Sequence, residues 1–175
     1  MCKTILIKNS LLIILICSFA TLFAQEKVAM KEIYIDNHLA YKIINDELFS
    51  GQAQRVRKNE HLVYEEYYEK GVPIKSILYY NRTEPPKPAR MIEFYEGSFN
   101  KKKETNYGLD KSLYTEFKYY DRNGKKTLIE QYNNNKLTYR CEYLNNKKHG
   151  KEFGYGDDGN KVICEYRNGK KISLE

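Results

Sequence analysis

Nine tyrosines recur through this chain at near-constant intervals, and each is followed at once by a turn-forming cluster. They are Tyr68, Tyr80, Tyr95, Tyr107, Tyr120, Tyr132, Tyr143, Tyr155 and Tyr166, separated by 11 to 15 residues. The clusters read EKG, NRT, EGS, GLD, DRNG, NNN, LNN, GDDG and RNG. One short strand plus one tight turn occupies about 8 to 12 residues, so this spacing predicts an all-β chain that folds as a single-layer, twisted antiparallel meander of repeated hairpins. No segment has helical periodicity long enough to pack over such a sheet as a second layer.

The pattern is clearest from Ser112 to Ile172, where strand-like runs such as LYTEFKYY, KKTLIEQY and KLTYRCEY alternate with Asn and Gly turns. Asn123-Gly124 and Asn168-Gly169 read as two-residue hairpin turns, because both residue types tolerate the positive φ that primed turns demand. The run Asp157-Asp158-Gly159-Asn160 reads as a slightly longer turn. Leu137, Tyr139, Cys141 and Tyr143 alternate with Thr138, Arg140 and Glu142, and Val162, Cys164 and Tyr166 repeat the first set. Alternation of this kind predicts one fairly apolar face and one charged face. Cross-strand pairs, each worth roughly 0.2–1 kcal/mol, then supply most of the stability. Upstream, Thr83–Pro88 (TEPPKP) cannot pair in a ladder and marks an expanded loop. EIYIDNHLAYKIIN and the segment after it read as two further strand pairs, and Val28–Glu32 as a loose or helical start.

Residues 1–24 stand apart. Lys3 and Lys8 precede an uncharged stretch from Leu11 to Ala24, which at 14 residues is short of the roughly 20 that a spanning helix needs. Export is expected, with cleavage between Ala24 and Gln25; the competing reading is an uncleaved anchor. Ile16 occupies the position where lipid attachment at Cys17 would want a small residue. The mature region divides into a lead-in of short strands, 25–47, and a repeat region, 48–175. The whole chain carries a formal charge of +7, and without the two leader lysines it carries +5. Basic and acidic residues alternate along the chain instead of forming blocks. Export to the periplasm, cell envelope or exterior argues against nucleic acid as a partner.

Cys141 and Cys164 begin the segments CEYLNNKK and CEYRNGKK, which match at six of eight positions with an offset of 23 residues. Equivalent positions in successive two-strand units lie two strands apart, about 9.5 Å, whereas a disulfide needs alpha carbons within about 7 Å. Two separate buried thiols are expected, although exported chains usually oxidise such a pair.

The stretch GKEFGYGDDGNKVICEYRNGKK, Gly150–Lys171, runs Gly, strand, Tyr, Gly-bearing turn, strand ending in Tyr, then Asn-Gly-Lys. It closely resembles the bacterial variant of the MORN repeat, with fainter copies near Tyr114 and Gly51. The layout is similar to the YwqK-type antitoxin family, and that resemblance implies a meander sheet, no enzymatic activity, and neutralisation of a toxin by binding it. The leader departs from a cytoplasmic antitoxin role.

In a meander the turn-preceding tyrosines separate to the two ends of the sheet. Tyr68, Tyr95, Tyr120, Tyr143 and Tyr166 are expected along one rim, and Tyr80, Tyr107, Tyr132 and Tyr155 along the other. Lys125, Lys136, Lys147, Lys161 and Lys170 restart strands beside them, so each rim offers flat apolar area, hydroxyls and positive charge to an acidic protein partner. Solubility of the turns is the plainer explanation of the same lysines. The leading expectation is a non-enzymatic exported binding module using one tyrosine-rich face; the alternative is a structural envelope protein on anionic lipid or glycan. His38, His61 and His149 are isolated, and Asp157-Asp158 lack the spacing of a calcium loop. No metal or cofactor is expected. Glu65, Glu66, Glu93, Glu116 and Glu130 read as strand glutamates facing lysines, not as catalytic pairs.

Overall fold

The computed structural model describes residues 26–81, 83–109, 114–156 and 158–174. The expected leader and its Ala24–Gln25 cleavage site lie outside them. Twelve strands form one sheet. Its repeating body is built by β4 (Gly51–Val56), β5 (Leu62–Glu69), β6 (Val72–Tyr79), β7 (Pro88–Phe94), β8 (Lys101–Tyr107) and β9 (Thr115–Tyr120), and then by β10 (Lys126–Asn133), β11 (Lys136–Leu144), β12 (Lys147–Tyr155), β13 (Lys161–Arg167) and β14 (Lys170–Leu174). From β4 onward each strand pairs antiparallel with the next, the long meander that the tyrosine spacing predicts.

Two features of the N-terminal part were not expected from the pattern. Strand β1 (Glu26–Ala29) joins the main sheet by pairing parallel to β4, so the sheet is not wholly antiparallel. The hairpin of β2 (Ile33–Asp36) and β3 (Leu39–Lys42) forms a separate two-stranded sheet. That hairpin is tied down by backbone bonds from the Ala40 amide to the Gly71 carbonyl (2.8 Å) and from the Phe49 amide to the Ala40 carbonyl (2.9 Å). Beneath it lies the apolar core, Ile33, Ala40, Phe49, Ala53 and Tyr68, with Val28 and Met30 packed against it. Phe49 and Tyr68 meet at 5.7 Å between ring centres. Two layers therefore exist at this end of the sheet.

Turn chemistry explains the strand connections. Lys70-Gly71, Asn134-Asn135, Asn145-Asn146 and Asn168-Gly169 each hold two consecutive residues at positive φ, the conformation whose twist matches the flanking strands. Asn123-Gly124 differs from expectation. Only Gly124 is at positive φ, and the turn spans Asp121 to Lys125, closed by Gly124 N–H to Asp121 O (3.0 Å) and Asp121 N–H to Lys125 O (2.8 Å). Asp121 wins this competition because its carboxylate accepts the amides of Asn123 and Lys125, both at 2.9 Å. The proline-rich segment is a loop closed by Tyr80 N–H to Lys87 O (2.9 Å), as its residues require.

Residues paired across strands share a face. One row of such partners crosses the sheet as Val28, Ala53, Glu66, Ser76, Ile92, Glu104, Lys118, Ile129, Cys141, Glu152 and Cys164. Three carboxylates, a hydroxyl and an ammonium share this row with apolar side chains. The expected division into an apolar and a charged face holds within β11 and β13 but fails across the sheet, because Glu152 of β12 faces the same way as both cysteines.

Candidate binding surface

Antiparallel pairing sends successive turns to opposite ends of the strands. Tyr95, Tyr120, Tyr143 and Tyr166 sit at the first rim, and Tyr132 and Tyr155 at the second. The Tyr95 hydroxyl donates to the Tyr120 carbonyl at 2.6 Å, and the Tyr80 hydroxyl to the Tyr107 carbonyl, so each rim is stitched two strands at a time. Pairing also divides the rings between faces. Tyr120 pairs with Lys126 and Tyr143 with Lys148, on the face of Cys141, whereas Tyr155 pairs with Lys161 on the opposite face. A single tyrosine-rich face is therefore not what the sheet presents; there are two rows, one per rim.

For two of the rings the nearby lysine is one residue beyond the expected one. Lys126, not Lys125, lies 4.0 Å from the Tyr143 ring centre, and Lys148, not Lys147, lies 4.9 Å from that of Tyr166. Adjacent strand residues point to opposite faces, so only the second lysine of each pair can share the tyrosine's side. Lys125 instead donates to Asn145 Oδ1 at 2.8 Å, leaving its ammonium at the turn surface. Lys136 stands 5.6 Å from the Tyr155 ring and Lys161 4.5 Å from that of Phe153. Lys147 and Lys170 are exposed at the hairpin tips. Arg122 covers Tyr95 at 5.1 Å and Lys101 approaches Tyr120 at 5.9 Å, a role that lay outside the expected set. The signal for it was the basic residue inside or just after the turn two strands away.

Inside the rims, carboxylates organise the polar contacts. Glu104 accepts from Lys101 at 2.9 Å and Asn106 at 3.3 Å; Glu116 accepts from Lys118 (2.9 Å), Gln131 (2.9 Å) and Asn106 (3.1 Å). Burial pushes both carboxyls up, but these donors outweigh it and hold them below the ordinary range. Glu152 behaves alike, burial being overcome by Lys148 and by the Tyr139 hydroxyl at 2.6 Å. Glu65 departs from the expectation that strand glutamates face lysines. It is buried and accepts from Gln52, Gln54, Tyr67 (3.2 Å) and Tyr79 (2.5 Å). The alternation of Gln52 and Gln54 in the preceding strand was the available hint.

Two tyrosines of the first rim, Tyr120 and Tyr143, are raised above the ordinary tyrosine range. Burial, followed by the charge of Glu104, raises Tyr120, and burial followed by Cys141 raises Tyr143. His61 is buried, with Nε2 3.0 Å from the Tyr80 carbonyl and Nδ1 3.4 Å from Glu84, which accounts for it as a loop tether. Asp158 accepts from the amide and side chain of Asn160 within its own turn. Among the described residues no group of three or more His, Cys, Asp and Glu is placed to hold a metal ion. A depression at the first rim, about 580 Å³, is an open groove lined by Ile74, Phe94, Tyr95, Lys102 and Arg122 among others. The arrangement suits contact with another surface through hydroxyls and ammonium groups.

No protein-family model matches this sequence, and neither a curated protein nor a solved structure matches it significantly.

Proposed function

We propose that this chain is an exported, non-enzymatic binding module of the MORN-variant kind, which recognises a protein partner through the tyrosine and lysine residues at its turns and acts in the manner of an antitoxin or immunity protein. The observation that carries this reading is the regular succession of cation-capped rings along the first rim: Arg122 on Tyr95, Lys101 at Tyr120, Lys126 on Tyr143 and Lys148 on Tyr166. An array of this form presents an extended surface at fixed spacing, suited to a macromolecule and not to a small substrate. The test is complex formation with the product of a neighbouring gene. A stable complex that is lost when Tyr120 and Tyr143 are both replaced by Ser is expected. A complex indifferent to those replacements, or attachment to anionic lipid or glycan that disappears with moderate salt, contradicts the reading.

A further inference from the structure

Charge is mixed along the sequence yet divided in the fold. Turns alternate between rims, so a basic turn that recurs every second strand returns to the same rim each time. The 23-residue offset between CEYLNNKK and CEYRNGKK has this period. Around the β7–β8 and β9–β10 turns the first rim carries Lys101, Lys102, Arg122, Lys125 and Lys126; around the β11–β12 and β13–β14 turns it carries Lys147, Lys148, Arg167, Lys170 and Lys171. Against these ten cations stand Glu93, Glu96 and Asp121; Glu104 and Glu152, further along their strands, pair with Lys101 and Lys148, and the Asp121 carboxylate already accepts two amides of its own turn. On the second rim the described residues of the β4–β5, β6–β7, β10–β11 and β12–β13 turns carry Arg57, Lys58, Lys87, Lys136 and Lys161 against Glu60, Glu84 and Asp158, five cations against three carboxylates.

Lys101 and Lys148 are held by Glu104 and Glu152, but most of the other first-rim cations are available. Lys102, Lys125, Lys147, Arg167 and Lys170 are exposed, and among the described residues none lies within ion-pair distance of a carboxylate. Tips on one rim recur every two strands, about 9.5 Å, so four tips span about 29 Å.

We infer that this rim is the docking edge for an acidic, extended polypeptide segment, a run of Asp and Glu side chains about nine residues long lying across the four turns; the inference rests on the protein-partner reading above and names its chemistry. Two observations favour a peptide over other polyanions. One face of the Tyr95, Tyr143 and Tyr166 rings is already covered by Arg122, Lys126 and Lys148, which leaves less aromatic area for a sugar or a nucleobase to stack on. A β-sheet also twists by roughly 20–25° per strand, so tips six strands apart point roughly 120–150° away from one another. A flat lipid surface meets only part of such a rim. A flexible chain follows it.

The test is binding of labelled poly-L-glutamate to the purified protein, read by fluorescence anisotropy at low and moderate salt. Replacing Lys125, Lys147, Lys170 and Lys171 together by Gln is expected to weaken binding by about ten-fold, while Lys136→Gln with Lys161→Gln leaves it within about two-fold. All six positions are at strand starts or turns, and an unchanged urea midpoint verifies the fold of each variant. Equal loss in both sets, or tighter binding to anionic phosphatidylglycerol vesicles or to heparin than to poly-glutamate, overturns the inference. A neighbouring-gene complex that survives the four-lysine variant also overturns it while leaving the partner reading intact. Poly-glutamate binding that maps to the rim in the absence of any protein complex upholds the rim chemistry and removes the partner reading.

Discussion

Cys141 and Cys164 occupy the same rung of the sheet two strands apart, with Glu152 paired to both between them. Both thiols are free and buried, and burial pushes the Cys141 thiol up in pKa. The native protein exposed to a mild oxidant is therefore expected to retain two thiols per monomer, with Cys141 alkylated only on unfolding. Mass measurement after non-reducing alkylation checks this, and a disulfide-linked monomer would contradict the register.

Gly150 is at positive φ, and a side chain there would run into the Glu142 carboxylate that accepts the Lys151 amide at 3.0 Å. Gly124 is also at positive φ but faces open space. Gly124→Ala is expected to cost about 1 kcal/mol from backbone strain alone, and Gly150→Ala about 2–3 kcal/mol. Urea unfolding of the two variants gives the order.

The core sits beneath the β2–β3 hairpin, where Phe49 has no exposed surface. Phe49→Ala is expected to destabilise by about 3–5 kcal/mol, whereas Tyr155→Ala, at a half-exposed rim position, costs about 1 kcal/mol or less. Comparable losses at the two positions would show that stability is spread evenly along the meander.

Stability is expected to fall at both ends of the pH scale. Glu104, Glu116 and Glu152 have folded-state pKa values below their unfolded values, so their contribution is present above about pH 4.3 and is lost as pH drops through the depressed values. Tyr64, pushed up to about 12 first by burial and then by its bond to Glu66, has the opposite sign, as do Tyr120 and Tyr143. Their contribution is complete below about pH 10 and is lost as pH rises through the elevated values. Urea midpoints across pH, alongside tyrosinate absorbance, measure both limbs.

The meander, most of its turn positions and the separation of tyrosines between rims were legible in the sequence because each depends on neighbours within one hairpin, and the free cysteines because their 23-residue offset puts them two strands apart. At Tyr143 and Tyr166 the capping lysine lies one place beyond the expected one, since Lys125 and Lys126 are indistinguishable until the pleat assigns them opposite faces, whereas Lys136 stands over Tyr155 as expected. Glu65 looked like any strand glutamate; its partners Gln52 and Tyr79 come from the strands on either side, and only register brings them together. The parallel pairing of β1 to β4 had no local signal, because the intervening hairpin must first fold over the sheet. The charge difference between rims was hidden for a similar reason: alternation in sequence becomes segregation once every second turn returns to one end.

That segregation is the centre of the account, and distances between spin labels at Lys125, Lys161 and Lys170 test it most directly. Lys125 and Lys170 lie 45 residues apart in sequence, but Lys125 immediately precedes β10 and Lys170 begins β14 at the same rim, four strands apart, whereas Lys161 begins β13 at the other rim. Backbone separations of about 19 Å for Lys125–Lys170 and about 30 Å for Lys125–Lys161 are expected, the pair more distant in sequence being the closer in space. The reverse order, or equal distances, would contradict a sheet that gathers its basic turns on one rim.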